Sequence, residues 1–111
     1  MVERIQLSRA KGWRKPRDTM KVDRSTAYGN PWRAGMYKDF TAADAVAYFR
    51  RWMAGDLSLR SAGKPPDIGL LRGKSLACWC KLGEPCHADV LLELANAPPL
   101  PGEPKTTEGI L

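Results

Sequence analysis

The stretch Lys74–Ala97, KSLACWCKLGEPCHADVLLELANA, decides the fold. Its opening, Leu76–Cys80, is a short apolar run bounded by turn formers, as a central strand requires. A Gly/Pro loop follows, and a helix is expected to start near Cys86. Strand end, loop and helix start is where α/β proteins place ligands. The same stretch carries the three cysteines, Cys78, Cys80 and Cys86, and the single histidine, His87.

Moving outward, residues 3–8 alternate, with Ile5 and Leu7 on one face and Arg4 and Gln6 on the other, which predicts a first strand. Met20–Asp23 predicts a second, with Val22 inward. Thr41 followed by Asp44 has capping-box spacing, and Val46, Phe49 and Met53 then recur at helical intervals, with Ala45 and Trp52 widening the apolar face. Arg50 and Arg51 suit the C-terminal end of this helix, which Gly55 closes. Asp56–Pro66 and Asp67–Leu71 suggest helical turns. The order β, β, α, short helical piece, β, α predicts an α/β (or α+β) fold: a small single-layer sheet of about three or more strands packed by two main helices. Residues 1–97 are expected to form a single domain, and the Pro-rich tail 98–111 to be mobile.

Composition narrows the classes. The 111 residues are 43% hydrophobic and 27% charged, ordinary for one globular domain. No run of about 18 apolar residues exists, and MVERIQLSRAKG lacks the apolar core of a signal peptide. A cytoplasmic location is therefore expected, where cysteines stay reduced unless they bind metal or do chemistry. The net charge of +6 is concentrated: Arg9, Lys11, Arg14, Lys15, Arg17, Lys21 and Arg24 face only Asp18 and Asp23 across segment 9–24. Such a segment attracts a nucleotide or nucleic acid, or is simply a solvated basic loop. Trp13 within it suits base stacking or loop packing.

The segment DRSTAYGNPWRAG is rich in turn formers. Asn30 before Pro31 favours extended backbone, and Gly29 permits a positive φ. The segment sets Arg24, Ser25, Thr26 and Asn30 beside Tyr28 and Trp32, either as a ligand wall or as ordinary loop packing.

Three readings of the cysteines stand open. Cys78, Cys80, Cys86 and His87 match a Cys₃His zinc set by count. On a regular strand, however, Cys78 and Cys80 sit about 6.6 Å apart. Two sulfurs on one zinc lie about 3.8 Å apart, so a bend at Trp79 is needed. The second reading is a thiol site, with Cys86 at a helix start, where the dipole favours the thiolate, His87 as base and Asp89 orienting it. The third is burial as small hydrophobes.

Two segments, GNPW (Gly29–Trp32) and LRGKSLACWCKLGEPCHADVLLELAN (Leu71–Asn96), together resemble the small prokaryotic and phage proteins of domain-of-unknown-function family 4326. RIQLSRAKGWRKP (Arg4–Pro16) and YFRRWM (Tyr48–Met53) share the likeness, which spans about Arg4 to Asn96. Tyr28 stands where tryptophan is expected before GNP. The resemblance implies a phage or bacterial intracellular origin and supplies no reaction.

The leading expectation is one pocket for a phosphate-bearing ligand: a nucleotide, a modified nucleoside or nucleic acid. The Cys78–Cys80 strand end and the Cys86–His87 helix start form its floor and the Arg24–Trp32 loop its wall. Arg24 takes the phosphate, Ser25 and Thr26 add polar contacts, Tyr28 or Trp32 stacks, and Asn30 reads a polar edge. Cys86, His87 and Asp89 carry any chemistry, with no cofactor favoured. The rivals are a non-catalytic Cys₃His zinc-stapled nucleic-acid-binding module and a phage protein that binds a host protein.

Overall fold

The computed structural model describes residues 2–97; the tail 98–111 lies outside them. Three strands, β1 (Arg4–Gln6), β2 (Thr19–Lys21) and β3 (Ser75–Cys78), form one sheet in the order β1-β3-β2. Both pairings are parallel, with Ile5 opposite Ala77 and Met20 opposite Leu76. Two main helices, α1 (Ala42–Met53) and α2 (His87–Asn96), complete the α/β fold the sequence predicts. Among the described residues, no helix is long and apolar enough to cross a membrane.

The sheet explains the LAC run. A central parallel strand is covered on both faces, so it takes continuous apolar sequence rather than alternation. Leu76, Ala77 and Cys78 are accordingly buried. The edge strands are shorter than expected: β1 occupies three residues of the predicted six, and β2 spans Thr19–Lys21 rather than Met20–Asp23. Hydrogen bonding nevertheless continues past both. The Leu7 amide donates to Cys78 O at 2.7 Å and the Val22 amide to Ala77 O at 2.8 Å. Val22 is fully buried, as its inward placement predicts.

Helix α1 begins with the predicted capping box, in which Thr41 Oγ1 accepts from the Asp44 amide and the Asp44 carboxylate accepts from the Thr41 amide. These contacts satisfy donors that a helix start otherwise leaves unpaired. Gly55, at φ 91°, turns the chain after the helix. The turns predicted downstream are 3₁₀ helices over Leu57–Ala62 and Gly69–Leu71. Helix α2 packs on β1, β3 and α1. Its Val90 and Leu91 join Phe49, Leu71 and Leu76 in the core.

The GNPW loop docks on α1, and it works differently from the expectation. Gly29 does not adopt a positive φ; it is needed for close approach. A Cβ there would lie 2.6 Å from Arg24 Cα and 2.8 Å from Asp23 O, both backbone atoms. Asn30 donates to Ala45 O at 3.0 Å and accepts from the Trp32 amide at 2.9 Å, tying loop to helix. Trp32 then packs edge-on against Tyr48 and Trp52, with centroids 5.7 and 5.8 Å away. Gly29→Ala should therefore destabilise the protein by about 1–3 kcal/mol, because backbone must move to admit one methyl group. A lowered urea midpoint with unchanged m-value would register the loss.

Candidate metal and thiol site

The cluster begins where β3 stops. Its two neighbours pair with it only as far as Cys78, and Trp79 and Cys80 bend away. The predicted strand Leu76–Cys80 is thus two residues too long, and the 6.6 Å separation drawn from a regular strand does not apply. The sulfurs of Cys78, Cys80 and Cys86 all lie within 4.8 Å of one another. Cys78 and Cys86 are 1% and 2% exposed, while Cys80 is half-buried at the rim.

Cys86 caps α2 and His87 is its first residue, as expected. The imidazole is held by an unforeseen partner. His87 Nε2 lies 2.6 Å from Val22 O. A carbonyl only accepts, so Nε2 carries the hydrogen and Nδ1 presents its lone pair in the neutral ring. Nδ1 faces Cys86 Sγ at 3.9 Å. Phe49 packs edge-on against the same ring, centroids 5.1 Å apart. Asp89, the expected orienting group, is instead exposed and lies 3.5 Å from Arg4.

Arg4 has a role that its place in an alternating strand does not signal. Its side chain is 8% exposed. The guanidinium donates to Lys81 O and Glu84 O, each at 3.0 Å, and so clamps the loop between Cys80 and Cys86. It also lies beside the Cys86 sulfur.

The thiols divide in acidity. Hydrogen bonds from Cys78 and Cys80, then from the Ala88 amide, hold Cys86 below the usual thiol range despite burial. Cys78 moves up, because it is hydrogen-bonded to Cys80 and Cys86 and is buried. The hydrogen bond with Cys78 pulls Cys80 down, but Cys86 and burial outweigh it and Cys80 ends raised. The thiol favoured as thiolate is therefore inaccessible, while the accessible one is disfavoured as thiolate. A reactive cysteine needs both properties in one residue.

The expected ligand wall is largely internal structure. Trp32 is 6% exposed and Asn30 5%, with both polar ends of Asn30 occupied. Neither the stacking face nor the reading edge expected of them is open. Ser25 Oγ donates to Asp23 Oδ1, Thr26 Oγ1 donates to Asp23 O, and Tyr28 is partly buried against the core. Arg24 is exposed and donates to Asn30 O and Trp32 O, leaving other N–H groups outward. A cleft of about 180 Å³ opens onto the cluster, lined by Cys78, Cys80, His87 and Trp79 together with the Asp23–Ser25 turn. This is below the roughly 300–1,000 Å³ of small-molecule sites. A larger hollow of about 430 Å³, between Trp52 and Pro65, is lined by none of the cysteines.

Arg4→Gln should cost about 1–3 kcal/mol, since two loop carbonyls lose a charged donor. Hydrogen exchange localised to residues 81–86 would report the loosened loop alongside the lower urea midpoint.

Comparison with known proteins adds the family and nothing of its chemistry. No curated protein and no solved structure matches the chain. The sequence model of one family, described as a domain of unknown function, matches residues 5–97, a span that holds the GNPW loop, Cys78, Cys80, Cys86 and His87. The chain belongs to that family, DUF4326.

Proposed function

We propose that Cys78, Cys80 and Cys86, with Nδ1 of His87, bind one zinc ion and that the chain is a zinc-stapled module. The observation that carries this is the convergence of three sulfurs within 4.8 Å around a bend that no regular strand supplies. Zinc–sulfur bonds of about 2.3 Å place tetrahedral sulfurs about 3.8 Å apart, inside that spread. The Cys78–Cys86 separation of 2.9 Å opens by about 1 Å on binding, within the reach of side-chain rotation. The imidazole supports the same assignment. A Cys86 thiolate and a neutral Nδ1 lone pair repel, and a cation between them removes the conflict. The Nε2–H bond to Val22 O is the outer contact that metal-bound histidines use to fix their tautomer.

Protein purified without added metal should hold about one zinc per chain, lose it to chelator and unfold at lower temperature when stripped. Cys80→Ser should abolish retention, whereas Asp89→Asn, outside the set, should leave it unchanged. A folded protein that neither retains nor takes up zinc would overturn the assignment.

A second reading rests on the lowered pKa of Cys86 and the outward donors of Arg24: a thiolate site for a phosphate-bearing ligand in the adjoining cleft. Iodoacetamide separates the two. In chelator-treated native protein, the zinc reading expects Cys80 to react first, by access, and Cys86 only after unfolding. Fast modification of Cys86 in the native state, slowed by a nucleotide, would favour the thiol reading instead.

A further inference from the structure

Segment 9–17 carries five cations, Arg9, Lys11, Arg14, Lys15 and Arg17, and no acidic residue, and every residue in it is exposed. It is tied to the sheet at its start. The Arg9 guanidinium lies 4.5 Å from the centroid of the Trp79 ring. Trp79 is 40% exposed, and its Nε1 donates to Asp23 Oδ2 at 2.8 Å. Asp23 is buried and also accepts from Ser25. A large apolar ring is thus held at the surface by its polar edge, next to a basic loop. Core packing does not call for such a ring there. Trp13, 36% exposed, lies within the same loop.

We infer that this face binds single-stranded nucleic acid, with a base stacked at Trp79 and phosphates held along Lys11–Arg17. Exposed aromatics beside a cationic track are what sequence-tolerant single-strand binding requires, because every base offers a π-face and every nucleotide a phosphate. Arg9 fits either role, stacking with the base or turning to a phosphate. A duplex fits poorly. Its bases are already stacked, and the residues of the patch belong to loops rather than to a helix or ribbon that could enter a major groove. The cleft beside Trp79, at about 180 Å³, has room for part of a nucleotide rather than a whole one, which suits a strand laid across the surface. An acidic polypeptide would use the charges and leave the indole idle, so the role of Trp79 distinguishes the two partners. The inference goes beyond the zinc assignment and stands whether or not metal is bound, since it rests on Arg9, Trp79 and the loop.

Fluorescence anisotropy with a labelled oligothymidylate of about twelve nucleotides tests it, within the usual range of single-strand site sizes. Binding should weaken linearly in log affinity against log salt. Trp79→Ala should weaken it about tenfold, the scale of one unstacked base, while Trp79→Tyr keeps most of the affinity. Lys15→Glu combined with Arg17→Glu, at exposed positions, should preserve the melting temperature and flatten the salt slope by about 0.7 for each phosphate no longer neutralised. Unchanged affinity in Trp79→Ala or in the double variant would overturn the proposal. So would absence of salt-sensitive binding, tighter binding of the matching duplex, or equal competition by polyglutamate. If Trp79→Ala fails to fold, the tyrosine and charge variants still decide.

Discussion

The structure depends on where the central strand stops being paired. Cys78 O is the last β3 carbonyl bonded by β1, through Leu7, and Ala77 O the last bonded by β2, through Val22. A strand held on both sides cannot bend, because bending breaks two ladders at once. One residue later no neighbouring strand holds its backbone. Trp79 and Cys80 turn there, and that turn brings Cys80 back toward Cys78 and sets the indole outward. The short edge strands are therefore part of the site: a β1 or β2 two residues longer would keep Cys80 along the strand axis and disperse the sulfurs.

What could be foreseen follows from interaction range. The capping box at Thr41 and Asp44 and the helix start at Cys86 depend on residues three or four apart, and the structure contains them. The continuous apolar run in β3 encodes burial on two faces, also a local signal. Cys78 and Cys80 do not keep regular strand spacing, because the length of β3 is set by neighbours 56 and 72 positions away. Arg4 clamps a loop about 80 positions along the chain, and Val22 O holds a histidine 65 positions away. No periodicity in the sequence points to either.

The GNPW loop illustrates a different kind of misreading. Its residue types suit ligand recognition and loop packing equally, since amides, guanidinium groups and indoles serve both. Burial separates the two uses. Asn30 and Trp32 lie beneath the surface, Asn30 with both ends of its amide occupied, and they anchor the chain to α1. Arg24 straddles both roles, bracing the loop while lining the cleft. Trp79, which no motif singled out beyond its place between two cysteines, is the large aromatic that borders the cysteine site from outside.

The Arg4 clamp also governs when the site can exist. Ribosomes deliver chains from the N-terminus, and Arg4 must wait for the loop it binds, 77 to 80 residues later. β1 likewise has no partner until β3 emerges, because the strand between them in space is the last of the three in sequence. Closing loops of that length is slow, and contacts this distant form late. During synthesis the thiols therefore emerge into an unassembled sheet, and they are brought together only when nearly all of the described chain has been made. A nascent chain cut short before β3 would have the basic loop and α1, but neither the central strand that β1 and β2 pair with nor the Trp79 ring that Arg9 meets.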